Sequence, residues 1–512
     1  MLRFENVLLV TLSIALAGCA TSALDMAPAR PDHPWIPATT ATGEIIPGKS
    51  AASVSADSPD YTLPSNSTLA NVPAVSRLED PDHAYSLPEL IDLAQSSNPL
   101  TRTAWNNARE VALAAGIAKS AYLPTLTASV VGGYQSFHSN ASALGLNANG
   151  DTTLDGVVPA LSLQWLLFDF GERKAVVHAA SQASVVANVG FTAAHQQVIH
   201  AVTLAYYAER AARARLETAA RSLKNAQTVQ TAAEERYTHG VGTVVEVAQA
   251  RQATAQAQLL QVQANGMAED AYQALISAMG ISALTRLKIA EIPERELPEA
   301  DSRPIEQLVS EALGRRPDIL AAYAAQRQSE ENVRAARAEF LPKVFVSATG
   351  AYNGGHLNLS AIPSASPQSP GTANLTGNQF GLTVFLGITM PVYDGGLRAA
   401  VLEQARAKAD NAGLALTHTR DEAVRQVVLA QNGLRTNLSA YQASTSLRAA
   451  AETTFDAALT AYRHGVGSIT EATVAETQLL QANNASTDAY SAALSAAATL
   501  ALAVGALGSA PQ

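Results

Sequence analysis

Long stretches of this chain place an apolar or small residue about every 3.6 positions, which is the period of an α-helix. The helical register begins near Leu87, breaks at Asn98-Pro99 and then resumes. Past Gly171 the same period runs without a breaker as far as the segment Gly240-Val241-Gly242. At 1.5 Å per residue, a helix of that extent is about 100 Å long. The pattern therefore predicts helices far longer than those of ordinary globular domains.

Strict alternation of apolar positions follows Pro124 and predicts β-strands with one apolar face. The first strand carries Leu126, Ala128, Val130, Gly132 and Tyr134 on that face, and a return strand follows over 161–167. A second strand pair is predicted over 344–352 and 380–388. Four aromatic residues lie near the strand ends: Trp165, Phe168, Phe170 and Tyr393. They predict an aromatic girdle at a membrane interface, although the alternation alone fits a soluble hairpin with one buried face equally well.

The chain is an internal duplication. Residues 87–134 align without a gap on 305–352, at a shift of 218 residues, and later motifs recur at a shift of 225. The extra seven residues lie in a Gly/Ser/Asn-rich segment, so we predict that 138–156 and 353–378 are solvent loops. We divide the chain into a signal peptide (1–18), a lipidated extended segment (19–86), repeat 1 (87–290), a linker (291–304) and repeat 2 (305–508).

The N-terminus predicts a lipid anchor. An apolar run ends in Leu16-Ala17-Gly18-Cys19, which resembles the bacterial lipobox that is cleaved before an acylated cysteine. Cys19 is the only cysteine, so a disulfide within one chain is excluded. The next residue is Ala20, whereas an aspartate at this position would argue for retention in the inner membrane. We therefore predict that the lipoprotein is sorted to the outer membrane. The Pro/Ser/Thr-rich residues after Cys19 predict an extended tether, or in their first half a simple disordered linker.

Composition and motif spacing exclude several functional classes. The net charge is -10, and the sequence has no basic patch suited to binding nucleic acid. No run reaches 18 apolar residues, so the chain crosses a membrane only if its strands join a closed barrel. His195 and His200 are five residues apart, not the four of a helical metal pair. We therefore predict no enzyme activity, no metal site and no cofactor.

Four elements occur in the same order in both repeats, and together they resemble the TolC-like outer membrane efflux proteins, in their lipoprotein branch. These elements are a Leu-Pro entry to the first strand, a Phe/Tyr-Asp-x-Gly exit from the second, a Tyr-x-x-Gly turn, and an acidic residue soon after it. The resemblance covers about 87–505.

The resemblance implies an α+β membrane protein: a homotrimer whose 12-strand transmembrane β-barrel continues into a long α-helical coiled-coil tunnel in the periplasm. Four strands from one chain cannot close a barrel, whereas three sets of four can. The family implies a passive exit duct of a tripartite efflux system, with a periplasmic adaptor and an inner-membrane pump as partners. The exported compounds would be drugs, small solutes or metal ions. A type I protein-secretion duct and a non-conducting trimeric envelope lipoprotein remain as alternatives.

The resemblance also carries candidate site residues. The turns that would contact the adaptor contain Tyr237, Gly240, Gly242, Thr243, Tyr462, Gly465, Gly467 and Ser468. Glu246 and Glu471 match an acidic position that would form carboxylate rings in a gate. Some relatives have an arginine where this chain has Gly242 and Gly467, and a second acid where it has Gln249 and Val474. Possible substitutes in the gate are Asp456, Arg463 and Glu476.

Overall fold

The computed structural model describes residues 27, 35, 37–50, 62–70, 83–143, 146–290, 297, 304–355 and 379–508. The chain forms two compact units that divide after Arg77. In the first unit, the antiparallel strands β1 (Pro37–Thr39) and β2 (Ile45–Ser50) form a small hairpin. The predicted signal peptide and Cys19 lie outside the described residues, so the lipid anchor stays a prediction.

The first repeat folds as a helix pair, a strand hairpin and a long helical hairpin. Its elements are α1 (Leu87–Ser97), α2 (Pro99–Ser120), β4 (Thr125–Ala143), β5 (Leu146–Phe168), α3 (Glu172–Thr238) and α4 (Val244–Met279). The short strand β3 (Ala84–Tyr85) precedes the repeat and pairs in parallel with β6 (Lys288–Ile289), which lies at the end of the repeat. These two strands join the entry and the exit of the first repeat.

The second repeat has the same order of elements. They are α5 (Ile305–Arg315), α6 (Pro317–Ala338), β7 (Lys343–Gly355), β8 (Gln379–Thr389), α7 (Leu397–Arg463) and α8 (Ile469–Ala503). The helices α3 and α7 each contain 67 residues, which corresponds to about 100 Å. The long helices that the periodicity predicts are thereby confirmed.

The four strands of the two repeats form one antiparallel sheet in the order β4-β5-β7-β8. Its register places Leu126 beside Leu163, then Ala348, then Val384, so the predicted apolar positions share one face. Many side chains on that face are exposed in the single chain, among them Leu126, Val130, Tyr134, Leu161, Phe380, Leu382, Val384, Leu386 and Ile388. An exposed apolar sheet face requires a partner or an apolar solvent.

The prediction of a solvent loop over 138–156 is wrong. The strand β4 continues to Ala143 and β5 begins at Leu146, so paired backbone occupies most of that segment. The reason is that an antiparallel ladder is made by backbone N–H and C=O groups, which pair whatever the polarity of the side chains. Most of the other predicted loop, 353–378, lies outside the described residues, although β7 extends through Gly355.

Each repeat has a hydrophobic core where its short helix packs against its long hairpin. In repeat 1 the core joins α1, α3 and α4 through residues such as Leu90, Val202 and Leu275. In repeat 2 it joins α5, α7 and α8 through Leu308 and Val427. These cores fix the middle of each long helix, and from there the hairpins extend to their turns.

Candidate functional site

The two helical hairpins reverse direction through the same hydrogen-bonded turn. Gly240 and Gly465 have φ values of 74° and 78°, in the left-handed region that favours glycine. The N–H of Val241 donates to the carbonyl of Arg236 at 3.0 Å, and in repeat 2 Val466 donates to the carbonyl of Ala461 at 3.0 Å. These bonds satisfy carbonyls at the end of each helix, as in a Schellman motif.

A second glycine in each turn is required because the backbone passes close to the preceding helix. A Cβ atom at Gly242 would lie 2.9 Å from the backbone nitrogen of Tyr237. At Gly467 a Cβ would lie 3.0 Å from the Cβ of Ala461. An arginine at either position would therefore need a different path of the turn.

Capping boxes start the returning helices, and they engage the two predicted gate carboxylates. The Oγ1 of Thr243 accepts a hydrogen bond from the N–H of Glu246 at 3.2 Å, and Glu246 accepts one from the N–H of Thr243 at 3.3 Å. Ser468 and Glu471 repeat the arrangement at 3.2 and 2.9 Å. Each carboxylate therefore caps the N-terminus of a returning helix. Whether these carboxylates also line a gate stays a prediction.

The two turn tyrosines occupy different environments although they are equivalent in sequence. Tyr462 is fully buried, with 0% of its surface exposed, whereas Tyr237 is 49% exposed. Tyr462 lies in an apolar cluster contributed by both repeats, with Val229 and Ala233 of α3 among its members. Burial and then the Glu246 carboxylate raise the pKa of the Tyr462 phenol, while Arg236 acts in the opposite direction.

Arg236 is a residue of the site that the sequence analysis missed. Its guanidinium lies 5.1 Å from the centre of the Tyr462 ring. Its Nη1 donates to the carbonyl of Tyr462 at 3.2 Å, and its Nη2 donates to the carbonyl of Val241 at 3.3 Å. One side chain of repeat 1 thus bridges both turns. No local pattern marks Arg236, because its partners lie in the other repeat.

The remaining gate candidates fall into two groups. Glu476 of α8 accepts a hydrogen bond from the buried Ser222 of α3, so it lies between the two hairpins. Burial raises the pKa of the Glu476 carboxyl, and the Ser222 hydrogen bond offsets part of that rise. Asp456 and Arg463 are exposed, and neither makes an ion pair within the described ranges. Among the described residues, no hydrogen bond or ion pair joins any two of the five gate candidates within one chain.

Exposed apolar side chains surround the turns. Val241, Val244 and Val245 of repeat 1 and Val466 of repeat 2 are each more than half exposed. The sequence analysis identified the turns but gave these valines no role, although three of them lie within five residues. They give the turns an apolar surface beside the glycines, which is typical of a site where another protein docks.

The described part of the chain contains neither a metal-ligating cluster nor a membrane-spanning helix. No cluster of three or more His, Cys, Asp or Glu side chains there has a geometry suited to a metal ion. None of the described helices combines the length and apolarity needed to cross a bilayer.

The family model described as outer membrane efflux protein matches residues 90–281 and 308–506, one segment in each repeat. Protein CyaE of Bordetella pertussis is 27% identical over 413 residues, which are 80% of this chain and 81% of that protein. Outer membrane protein OprJ of Pseudomonas aeruginosa is 25% identical over 342 residues, 67% of each chain.

A solved structure shares the fold. The crystal structure of the outer membrane protein VceC from Vibrio cholerae aligns with a TM-score of 0.68 at 22% identity, covering 82% of this chain and 96% of that one. The predicted resemblance and the predicted efflux function in the outer membrane are confirmed. The chain therefore belongs to the outer membrane efflux protein family.

Proposed function

We propose that this chain is the exit duct of a tripartite efflux system and that it acts as a homotrimer. The observation that carries the proposal is the four-stranded sheet, which exposes an apolar face and continues into two helical hairpins about 100 Å long. Within the described strands, β4 and β8 each have a neighbour on one side only. Three copies would pair these edges into a twelve-stranded barrel whose apolar face meets lipid.

The helices support assembly with further copies. Within one chain, α3 packs against α8, whereas the duplicate surfaces of α4 and α7 do not pack on each other. Apolar side chains are exposed along those two helices: Leu259, Val262 and Met267 on α4, and Leu414, Leu429 and Leu447 on α7. In a closed ring of copies, α7 of one chain would pack against α4 of the next and bury part of this surface.

The proposed partners are a periplasmic adaptor and, through it, an inner-membrane pump. The glycine turns with their exposed valines, Val241, Val244, Val245 and Val466, support docking of an adaptor at the tunnel end. The duct itself is passive and has no catalytic residue; it carries drugs, small solutes or metal ions outward. Outer membrane lipid surrounds the barrel, and an acyl anchor on Cys19 holds the chain in that membrane.

The gate carboxylates are part of this proposal. Glu246 and Glu471 would form two rings of like charge when three copies surround the tunnel end, and such rings favour cations. The charge of the two glutamates can be tested separately from their capping role, because glutamine also completes a capping box. The double substitution Glu246→Gln and Glu471→Gln therefore removes charge while it preserves the helix starts.

We would measure single-channel currents of the purified protein in planar bilayers, with and without the double substitution. The proposal expects a small cation-selective conductance in the native protein and a loss of that selectivity in the variant, with trimers intact in both. A protein that forms trimers in the membrane but never conducts, even with its adaptor, would contradict the proposal and favour a structural envelope lipoprotein.

A further inference from the structure

The end of the sheet that joins the helices carries aromatic side chains on its apolar face. Trp165 of β5 lies opposite Val346 of β7. A β-bulge in β5 then places Phe168 opposite Val344. Because Val344 and Val346 are two residues apart, both aromatic rings lie on one face of the sheet, which is the exposed apolar face. Aromatic rings in this position are typical of a membrane interface.

The end of α2 lies beside these rings. The indole Nε1 of Trp165 donates to the carbonyl of Tyr122 at 2.9 Å. Nη1 of Arg173 donates to the carbonyl of Ala121 at 3.0 Å, and the guanidinium lies 5.2 Å from the centre of the Tyr122 ring. The carbonyls just past the end of α2 are therefore satisfied by side chains of β5 and α3.

Two exposed lysines lie at this junction of sheet and helices. Lys119 lies one turn before Tyr122, whose N–H donates to the carbonyl of Lys119 at 3.1 Å, so the two side chains share one side of the helix end. Lys174 lies next to Arg173 in the first turn of α3. Both lysines are exposed, and neither forms an ion pair with another described residue.

The second repeat has a cation at the equivalent position. The shift of 218 residues takes Lys119 to Arg337, and each is the basic residue in the last turn of its helix. Arg337 is exposed and also makes no ion pair within the described ranges. Phe340 lies one turn after it, and the Phe340 ring is 5.3 Å from the guanidinium of Arg398. Each repeat therefore presents a cation beside an aromatic ring where the helix leads into the sheet.

The carboxylates near the junction leave these cations unneutralised. Three of them are held by cations of their own: Asp169 by Arg173, Glu172 by Lys343, and Asp394 by Arg398. Glu339 makes no ion pair in the described part of the chain. Lys119, Lys174 and Arg337 carry three positive charges against this one carboxylate. Exposed cations beside interfacial aromatic rings are suited to anionic lipid headgroups.

We propose that Lys119, Lys174 and Arg337 form a rim that binds the headgroups of anionic phospholipids in the periplasmic leaflet and so fixes the depth of the channel in the membrane. This inference rests on the proposed barrel. The helices continue from this end of the sheet into the periplasm, which places the rim in that leaflet. The alkyl stems of such side chains can lie along apolar surface while the charge reaches the phosphate.

Trp165 makes the binding measurable, because brominated acyl chains quench the fluorescence of a nearby indole. The full chain would carry Trp35→Phe and Trp105→Phe, which remove the other two tryptophans. It would be reconstituted into phosphatidylcholine vesicles that contain increasing amounts of brominated phosphatidylglycerol or brominated phosphatidylcholine. The preference is the ratio of the amounts of the two lipids that give equal quenching.

The rim variant replaces the three rim cations by glutamine. A matched control removes the same charge from exposed cations farther along the long helices, which make no ion pair among the described residues: Lys224→Gln, Lys408→Gln and Arg420→Gln. Quenching of the rim variant by brominated phosphatidylcholine shows that it has inserted. Loss of lipid preference is then separated from failure to fold.

We expect the native rim and the control to prefer phosphatidylglycerol, and the rim variant to lose that preference by about fivefold or more, the attraction that one such cation supplies. An unchanged preference in the rim variant would overturn the inference. Displacement of phosphatidylglycerol by inorganic phosphate at constant ionic strength would also overturn it, since the rim would then bind any soluble anion.

Two further outcomes separate this inference from the proposed function. Equal quenching of the native chain by both brominated lipids would overturn the inference, because the sheet would then lie in the membrane without selecting a headgroup. Absence of quenching by either lipid would contradict the proposed barrel itself, and the lipid rim with it.

Discussion

At the scale of single residues, the first two helices of each repeat meet at a bend, and that bend depends on the residue before a proline. Asn98 donates from Nδ2 to the carbonyl of Ala278 at 3.1 Å, and Arg316 donates from Nη1 to the carbonyl of Ala503 at 3.0 Å. Ala278 and Ala503 are equivalent in the duplication, because they differ by 225 positions. Each bend therefore satisfies the end of the returning helix of its own repeat, with different side chains.

Arg316 has the larger role of the two. It is buried, pairs with Asp318 through two hydrogen bonds of 3.0 and 2.6 Å, and also donates to Gln426 at 2.7 Å. Burial would raise the pKa of the Asp318 carboxyl, but the hydrogen bonds and charge of Arg316 outweigh it and hold that pKa below its usual value.

Substitution of Arg316 by alanine should lower the thermal stability of the protein, because it leaves a helix end and a carboxylate without their buried partner. We expect a cost of about 1–3 kcal/mol, measured as a drop in the unfolding midpoint in detergent, because the Asp318 side chain is half exposed and remains partly hydrated. Arg315→Ala is the control, since the adjacent arginine is exposed. Equal midpoints for the two variants would show that the buried network does not stabilise the bend.

Glu476 predicts a pH dependence of stability. Burial raises the pKa of its carboxyl in the folded protein, so the folded state holds its proton more tightly than the unfolded state does. Stability from this group is therefore greatest at low pH and falls as pH rises from the ordinary glutamate pKa through the raised one. Glu476→Gln should flatten the decrease in the unfolding midpoint between pH 5 and pH 8. The exposed Glu217→Gln serves as control, and an equal slope in all three proteins would contradict the prediction.

At the scale of elements, the helical turns combine a left-handed glycine, a close backbone approach and a capping box. Each feature has a local sequence signal, because Gly-x-Gly is followed by Thr243-x-x-Glu246 in one repeat and Ser468-x-x-Glu471 in the other. The sequence carries this capping signal, although the resemblance to the family assigns the same two glutamates to a gate. Both roles remain compatible, since a carboxylate that caps a helix keeps its charge.

Gly242→Ala should weaken the first turn by about 1–3 kcal/mol, because the added Cβ would meet backbone atoms of Tyr237 and Arg236 at 2.9 and 3.0 Å. The control is Gly190→Ala in the first third of α3, where the added Cβ meets nothing within 4 Å. That control should gain up to about 1 kcal/mol from helix propensity. Limited proteolysis at the turn and adaptor capture would be measured. Unchanged behaviour of Gly242→Ala would contradict the tight approach.

At the scale of the whole molecule, the single chain exposes surfaces that only an assembly or a membrane would cover. The apolar sheet face and the apolar residues of α4 and α7 are the main examples. The interface between α3 and α8 within one chain shows how a covered surface is built, with small apolar residues and polar contacts about two turns apart along α3.

The predicted lipid anchor also belongs to this scale. Cys19→Ser should abolish incorporation of labelled palmitate and leave a precursor that keeps its signal peptide. The native chain should incorporate the label and fractionate with the outer membrane. Because the barrel would insert independently of the acyl chains, we expect the variant to lose membrane retention only in part. If the Cys19→Ser chain still incorporated the label, the acyl group would be attached to another residue.

Local patterns in the sequence were sufficient to predict the helices, the existence of the strands, the turns and the duplication. The reason is that hydrophobic periodicity and the placement of glycines determine the backbone conformation within a few residues. These patterns failed for the lengths of β4 and β5, because backbone pairing extends these strands through segments with polar side chains. The difference between Tyr237 and Tyr462, the bridge made by Arg236 and the burial of Glu476 could not be read from either repeat alone. These features arise where two copies of one motif pack against each other, and contacts between residues more than 200 positions apart leave no local signal.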